Sequence, residues 1–146
     1  MYKHILLTTE LAGENSHIEE RASQIQEQNN AELSVIHVIE PLPPIYAGIE
    51  IGAVPNYSDA DQALTDRAEE MIKPIAERLR IPQSRTVIAY GRVSDEIISY
   101  AEKNRVDLII TGSHGRHGLQ LLLGSTANAL LHHAKCDVLS VRIGHK

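Results

Sequence analysis

The fold of this chain is indicated most clearly by the stretch Val106-Asp107-Leu108-Ile109-Ile110-Thr111-Gly112-Ser113-His114-Gly115. It begins with an apolar run of strand length and passes straight into glycines. A near-continuous apolar run is typical of a strand that is covered on both faces, as the strands of a parallel sheet are. The stretch therefore predicts a buried parallel strand, Val106 to Thr111, followed by a glycine-rich loop.

Four further runs of this kind lie on either side of it along the chain. They span Tyr2 to Thr9, Glu32 to Ile39, Arg85 to Tyr90 and Asp137 to Ile143. Between them lie apolar stripes at helical spacing, formed by Ile18, Ala22 and Ile25; by Leu64, Ala68, Met71, Ile75 and Leu79; by Val93, Ile97 and Ala101; and by Ala127, Leu130, Leu131 and Ala134. This alternation predicts an α/β fold, a doubly wound five-stranded parallel sheet of the flavodoxin or Rossmann-like kind. We expect strand order 3-2-1-4-5 with helices on both faces.

Local signals refine this outline. Ser16 and Glu19 have the spacing of a capping box at the start of the first helix, and Pro74 is expected to kink or divide the second. Charged residues on the helical segments, Glu19 among them, are expected on solvated faces. The prolines and glycines between Glu40 and Ser58 predict a long surface loop, either a binding lid or a mobile excursion.

Composition limits the classes of function. The length of 146 residues suits one domain, 1–146, and a formal net charge of −5 argues against a nucleic-acid partner. No apolar run reaches the length of a membrane span, and the first residues lack the pattern of a signal peptide, so we expect a cytoplasmic protein. Cys136 is the only cysteine; it excludes an internal disulfide and is expected to be a buried structural thiol.

The glycine-rich segment is the candidate functional site. Gly112 and Gly115 follow the fourth strand, and Gly124-Ser125-Thr126 opens the last helix. Glycines let the backbone approach a ligand, and a helix start adds N–H groups and a positive dipole end, so together they can cradle phosphates. The same glycines also suit a plain turn, and neither the Walker pattern nor the dinucleotide fingerprint is present. In such sheets ligands bind beyond the carboxyl ends of the strands, here between Thr8–Glu10 and the residues after Ile110.

The glycine spacing also carries a family resemblance. Gly112-x2-Gly115, a spacer and Gly124-Ser125 resemble the ATP-binding motif of the universal stress protein family, and the resemblance covers nearly the whole chain. Further matching segments are Tyr2-Lys3-His4-Ile5-Leu6-Leu7, Ala31-Glu32-Leu33-Ser34-Val35-Ile36-His37-Val38 and Cys136-Asp137-Val138-Leu139-Ser140-Val141. The chain departs from the family in two places. Glu10 stands where the family usually has Asp, and the spacer between Gly115 and Gly124 is one residue shorter than the commonest one.

The resemblance implies roles for particular residues. Thr8, Thr9 and Glu10 would flank the adenosine, and the Val38 backbone would read the adenine edge. The ribose and phosphates would be surrounded by Gly112, Ser113, His114, Gly115, Gly124, Ser125 and Thr126. The implied ligand is ATP, with or without Mg²⁺ and with AMP or ADP as alternatives, and the implied assembly is a homodimer through the last strand.

Three functions stay open. The first is a nucleotide-dependent regulatory module of the stress response, with little or no turnover and an unidentified protein partner. The second is a slow ATPase or self-phosphorylating enzyme, although phosphoryl transfer needs a held metal and a positioned base and only Glu10 offers a carboxylate across the crevice, so we assign no catalytic residue. The third is a family member that dimerises without nucleotide.

Other sites are not supported by the sequence. The histidines show no metal-ligand spacing, and no Gly-x-Ser-x-Gly elbow indicates a hydrolase. We therefore expect no metal site. His37, near the end of the second strand, is expected to be hydrogen-bonded in or near the core.

Overall fold

The computed structural model describes residues 1–11, 16–40, 57–113 and 124–142. In chain order its elements are β1 His4–Thr8, α1 Ser16–Asn29, β2 Glu32–Ile39, α2 Tyr57–Arg78, a 3-10 turn Gln83–Arg85, β3 Thr86–Tyr90, α3 Val93–Lys103, β4 Leu108–Gly112, α4 Ser125–His133 and β5 Asp137–Val141. The predicted alternation of strands and helices is confirmed. Most of the predicted loop from Glu40 to Ser58 lies outside the described residues, and its end is helical because α2 already begins at Tyr57.

The strands form one parallel sheet in the order β3-β2-β1-β4-β5, as the sequence predicts. β1 lies at its centre, paired with β2 on one side and with β4 on the other. Ile5, Leu6 and Leu7 of this strand are at most 1% exposed. A strand that is covered on both faces needs apolar side chains in both directions, which explains the unbroken apolar run in its sequence.

A separate apolar layer covers each face of the sheet. On one face, α1 and α2 contribute Ile18, Ala22, Ile72 and Ile75. On the other, α3 and α4 contribute Ile97, Ala101 and Leu130. Full burial of one such aliphatic side chain contributes about 1.5–3 kcal/mol, so these two layers are the main source of stability.

Two details of the helices differ from the sequence-based expectations. The sequence predicts that Pro74 kinks or divides α2, and division does not occur, because α2 is one continuous helix that contains Pro74. Leu64 and Leu131, expected on buried stripes, are 44% and 48% exposed, because the apolar stripes that contact the sheet are narrower than the sequence periodicity suggests. In the described part of the chain, no helix combines the length and apolar character needed to cross a bilayer.

The expectation that Glu19 lies on a solvated helix face is wrong. Glu19 is buried, at 8% exposure. Its carboxylate accepts two hydrogen bonds from Arg78 of α2, from Nε and from Nη2, each 3.1 Å long. Glu19 therefore joins α1 to α2. It also does not complete the predicted capping box, because Ser16 is already the first residue of the helix.

A buried polar network links β1, β2 and α3. The Nδ1 of His4 lies 2.9 Å from the carbonyl oxygen of Asn104, and its Nε2 lies 2.6 Å from Oγ of Ser34. A carbonyl only accepts, so Nδ1 carries the proton, and in the neutral ring Nε2 accepts from the Ser34 hydroxyl. The hydroxyl of Tyr100 donates to the same Ser34 oxygen at 3.3 Å. Ser34 is fully buried, so these bonds are protected from water.

This network predicts unequal effects of two substitutions. Ser34→Ala leaves Nε2 of His4 buried without a partner, so we expect the free energy of unfolding to fall by about 1–3 kcal/mol. Tyr100→Phe removes one longer bond from a partly exposed hydroxyl, and the expected loss is about 1 kcal/mol or less. Urea unfolding followed by circular dichroism measures both. If both substitutions lower the free energy of unfolding equally, the His4–Ser34 bond is not the main contact of this network.

Candidate functional site

The candidate site lies where the carboxyl ends of the central strands meet. The chain leaves β1 toward β2 on one side and, later, returns to β4 on the other, so the strand order reverses beside β1. In open α/β sheets this reversal produces a crevice in which ligands bind. The predicted position of the site between the ends of β1 and β4 agrees with the observed topology.

The end of β1 is fixed by polar contacts. Thr8 donates a hydrogen bond from Oγ1 to Oγ1 of Thr111, 3.0 Å away on β4. Thr9 extends the pairing with β2 by one bond, from its N–H to the carbonyl of Ile36 at 3.0 Å. Glu10 follows and is exposed. Leu11 then turns the chain away with a positive φ of 67°, a conformation that is uncommon for a residue other than glycine.

The end of β2 presents its backbone toward the same crevice. Peptide groups alternate in direction along a strand, and those of Ile36 point toward β1, as the bond from Thr9 shows. Val38, two residues later, points its N–H and C=O the same way. The described pairing of β1 with β2 ends at Thr8↔Ile36, so Val38 faces the space where β1 has turned away.

The end of β4 and the start of α4 are joined by backbone bonds. The N–H of Ser113 donates to the carbonyl of Val141 on β5 at 2.9 Å, and the carbonyl of Ser113 accepts from the N–H of Gly124 at 2.7 Å. These bonds hold the two ends of the glycine-rich loop together. Gly124 is the N-cap residue of α4 and makes no side-chain capping bond, so among the described residues no side chain caps the first turn, whose N–H groups suit an anion.

The structure thus brings nine of the predicted site residues to one edge of the sheet. They are Thr8, Thr9, Glu10, Val38, Gly112, Ser113, Gly124, Ser125 and Thr126. His114 and Gly115, also predicted for the site, lie outside the described residues. The sequence predicts that His37 is hydrogen-bonded in or near the core and assigns it no place in the site. In the structure, its Nδ1 lies 2.8 Å from the carbonyl oxygen of Thr9, which brings it to the rim of the crevice.

Metal-binding residues are not grouped in the described part of the chain, where no three of His, Cys, Asp and Glu come together. Cys136 is only half buried. Burial, followed by the negative charges of Asp137 and Asp107, raises the pKa of its thiol above the ordinary value. A raised pKa keeps the thiol protonated at neutral pH and makes it a poor nucleophile and a poor metal ligand.

The opposite, amino-terminal edge of the sheet contains a cavity of about 490 Å³ lined by residues of β5 and α1. Three of its polar residues, Tyr2, Asn29 and Asp137, are already joined by hydrogen bonds. Tyr2 donates from its hydroxyl to Asp137 at 2.7 Å, and Asn29 accepts from the N–H of Tyr2 at 3.0 Å. The hydrogen bond to Asp137 also raises the pKa of Tyr2. This cavity offers few groups to a ligand, so the carboxyl edge remains the candidate site.

Comparisons with known proteins agree on one family. The model of the universal stress protein family matches residues 1–142. Universal stress protein A homolog 1 of Coxiella burnetii is 40% identical over 140 residues, 96% of each chain. Homolog 2 of the same organism is 40% identical over 143 residues, 97% of this chain and 96% of its own.

Solved structures share the fold over the full length. The structure of hypothetical protein MJ0577 superimposes with a TM-score of 0.81 at 25% identity and covers 100% of this chain and 99% of its own. A universal stress protein in complex with cAMP superimposes with a TM-score of 0.65 at 22% identity and 98% coverage of both chains.

Proposed function

The chain belongs to the universal stress protein family, and on that premise we propose that it is an ATP-binding regulatory module of the stress response that holds its nucleotide with little or no turnover. The observation that carries this proposal is the convergence of three sets of backbone groups at one edge of the sheet: the end of β1, the Val38 edge of β2 and the first turn of α4. We place the protein in the cytoplasm, where ATP is abundant.

The adenine would bind against Val38. A purine edge needs a donor and an acceptor close together, and the N–H and C=O of a single strand residue supply both. Val38 is 7% exposed, so these bonds would form in a site that is largely shielded from water. Thr8, Thr9 and Glu10 would flank the adenosine from the side of β1.

The phosphates would bind at the start of α4. The N–H groups of Ser125 and Thr126 and the positive end of the helix dipole suit an anion, and Gly112 and Ser113 close the site from β4. His114 and Gly115 would complete it from the loop. The net charge of −5 gives a nucleotide little long-range attraction, so binding would depend on these local donors.

The relatives support a nucleotide as the ligand. One structural neighbour binds cAMP. This ligand contains adenine, ribose and phosphate, the three groups that this edge would accommodate. AMP and ADP share them and are alternative ligands, and ATP would bind with or without Mg²⁺. Turnover requires a held metal and a positioned base, and Glu10 is the only carboxylate that the sequence offers across from the glycine loop. A slow ATPase, a self-phosphorylating enzyme or a dimer without nucleotide are the competing functions.

One experiment separates these functions. Freshly purified protein is gently denatured and the released small molecules are identified by mass spectrometry, before and after incubation at 25 °C. We expect ATP at close to one per chain, unchanged by incubation. Conversion to ADP would support the slow ATPase, a phosphate-sized mass increase on the chain would support self-phosphorylation, and the absence of nucleotide together with no ATP binding in calorimetry would support the nucleotide-free dimer.

The glycine loop is expected to determine the affinity. Under this proposal, Gly115→Val would place a branched side chain where the backbone is expected to approach the phosphates and would penalise any left-handed conformation there. Ser125→Ala removes one hydroxyl donor and should cost about 1 kcal/mol, roughly fivefold in affinity. Calorimetry should rank ATP affinity as wild type, Ser125→Ala and then Gly115→Val, with GTP weaker than ATP because its base presents a different edge.

A matched control is available in the same loop. Gly118→Val makes the same change outside the glycine motif and should reduce the affinity less than Gly115→Val. Circular dichroism confirms that each variant is folded. Wild-type affinity in Gly115→Val would refute the assignment of this loop.

We further propose a homodimer through β5, with an unidentified regulatory protein as the eventual partner. β5 is an edge strand, and its unpaired edge can accept another strand. The carbonyl of Val141 bonds toward β4, so by alternation Val138 and Ser140 point their N–H and C=O outward. These outward groups would pair with the same groups of a second chain.

The dimer is tested at Ser140, since Val141 is 6% exposed and any change there would disturb the core. Ser140→Pro removes an outward N–H while the bonds to β4 remain, so light scattering should show a dimer for wild type and a monomer for the variant. Ser140→Ala is the control. It keeps the N–H and removes only a buried hydroxyl that has no hydrogen-bond partner among the described residues, so it should remain dimeric. A monomeric wild type at micromolar concentration would contradict the proposal.

A further inference from the structure

We propose that His37 is a positioning residue that keeps the backbone edge of Val38 open, by binding the carbonyl group that would otherwise pair with it. This inference rests on the proposed nucleotide site and concerns how that site is kept available. It assigns to His37 a role beyond that of a hydrogen-bonded core histidine.

The register of the sheet specifies what a longer β1 would do. The last described pair between β1 and β2 is Thr8↔Ile36, so the next pair of the same kind would be Glu10↔Val38. In a parallel ladder, this pair requires Val38 N–H to donate to the carbonyl of Thr9, and Leu11 N–H to donate to the carbonyl of Val38. These two bonds would occupy the polar groups with which Val38 can contact a base.

Both bonds are diverted in the structure. The carbonyl oxygen of Thr9 lies 2.8 Å from Nδ1 of His37; because a carbonyl only accepts, His37 donates the proton. The N–H of Leu11 donates instead to Oγ1 of Thr9 at 3.1 Å. Among the described residues, neither ladder bond to Val38 forms. The sheet therefore stops one pair early because two side chains, His37 and Thr9, bind the groups that would continue it.

The backbone that follows β1 turns away from β2. Thr9 is held at its N–H by Ile36, at its carbonyl by His37 and at its hydroxyl by Leu11. Leu11 adopts a φ of 67°, which costs on the order of 1 kcal/mol or more for such a side chain. A strained backbone conformation of this kind persists only where neighbouring contacts stabilise it, and here the three hydrogen bonds of Thr9 do so. The same contacts also fix the peptide group between Thr9 and Glu10, which lies across the crevice from Val38.

The chemistry of position 37 is therefore specific. The role needs a side-chain donor at the position of Nδ1, on the face of the sheet that α1 and α2 cover, and it does not need a charge. The amide nitrogen of asparagine lies close to that position, whereas leucine has a similar volume and no donor. These two replacements separate the hydrogen bond from simple packing.

The first test measures the protein without nucleotide. Amide hydrogen exchange by NMR should show rapid exchange at Val38 in wild type. In His37→Leu, the carbonyl of Thr9 is free to turn toward Val38, so exchange at Val38 should slow at least tenfold. His37→Asn should behave as wild type. This result does not depend on nucleotide binding, so it stands even if the proposed function fails.

The second test measures binding. Calorimetry with ATP should give about a tenfold or greater loss of affinity in His37→Leu and near wild-type affinity in His37→Asn. Thr9→Val removes the acceptor of the Leu11 N–H and should weaken binding in the same direction, which provides a second variant if His37→Leu does not fold. Absence of binding in wild type refutes the proposed function alone. Unchanged Val38 exchange together with unchanged affinity in folded His37→Leu and Thr9→Val overturns the role of His37.

Discussion

The central position of β1 is the constraint on which the rest of the molecule depends. Its side chains are covered by an apolar layer on each face, and its peptide groups bond alternately to β2 and to β4. A strand in this position must be apolar throughout and paired along its whole length. The point at which it stops is therefore also the point at which both neighbours lose a partner, and the crevice follows from that geometry.

Side chains interact with the backbone differently at the amino ends and at the carboxyl ends of the strands. At the amino edge, side chains accept hydrogen bonds from the N–H groups before and at the start of β1: Asp107 accepts from Lys3 and His4, and Asn29 accepts from Tyr2. At the carboxyl edge, side chains instead hold the chain away from continued pairing, as His37 does with Thr9. The first arrangement stabilises the fold, whereas the second leaves polar groups available. This asymmetry explains why we assign function to one edge only.

Much of the fold could be predicted because it depends on local patterns. The apolar runs indicated five parallel strands, and the order of elements indicated their arrangement. Glu19 could not be placed, because its burial depends on Arg78, which lies 59 residues away along the chain. The exposure of Leu131 likewise depends on how α4 rests on the sheet. The glycine spacing predicted the candidate site, which stays a prediction. The proposed role of His37 depends on the register between two strands, and the sequence pattern of one strand does not reveal that register.

The proposed nucleotide site and the edge strand share one short segment of backbone. The carbonyl of Val141 on β5 binds the N–H of Ser113, and the carbonyl of Ser113 binds the N–H of Gly124, where α4 begins. Under the proposed function, a phosphate at α4 and a second chain at β5 would both act on this segment. Coupling between two sites is reciprocal when each ligand favours the same arrangement of a shared element. If the proposed function holds, this shared segment would give nucleotide binding a physical means of affecting the surface of β5 through which a second chain is proposed to bind.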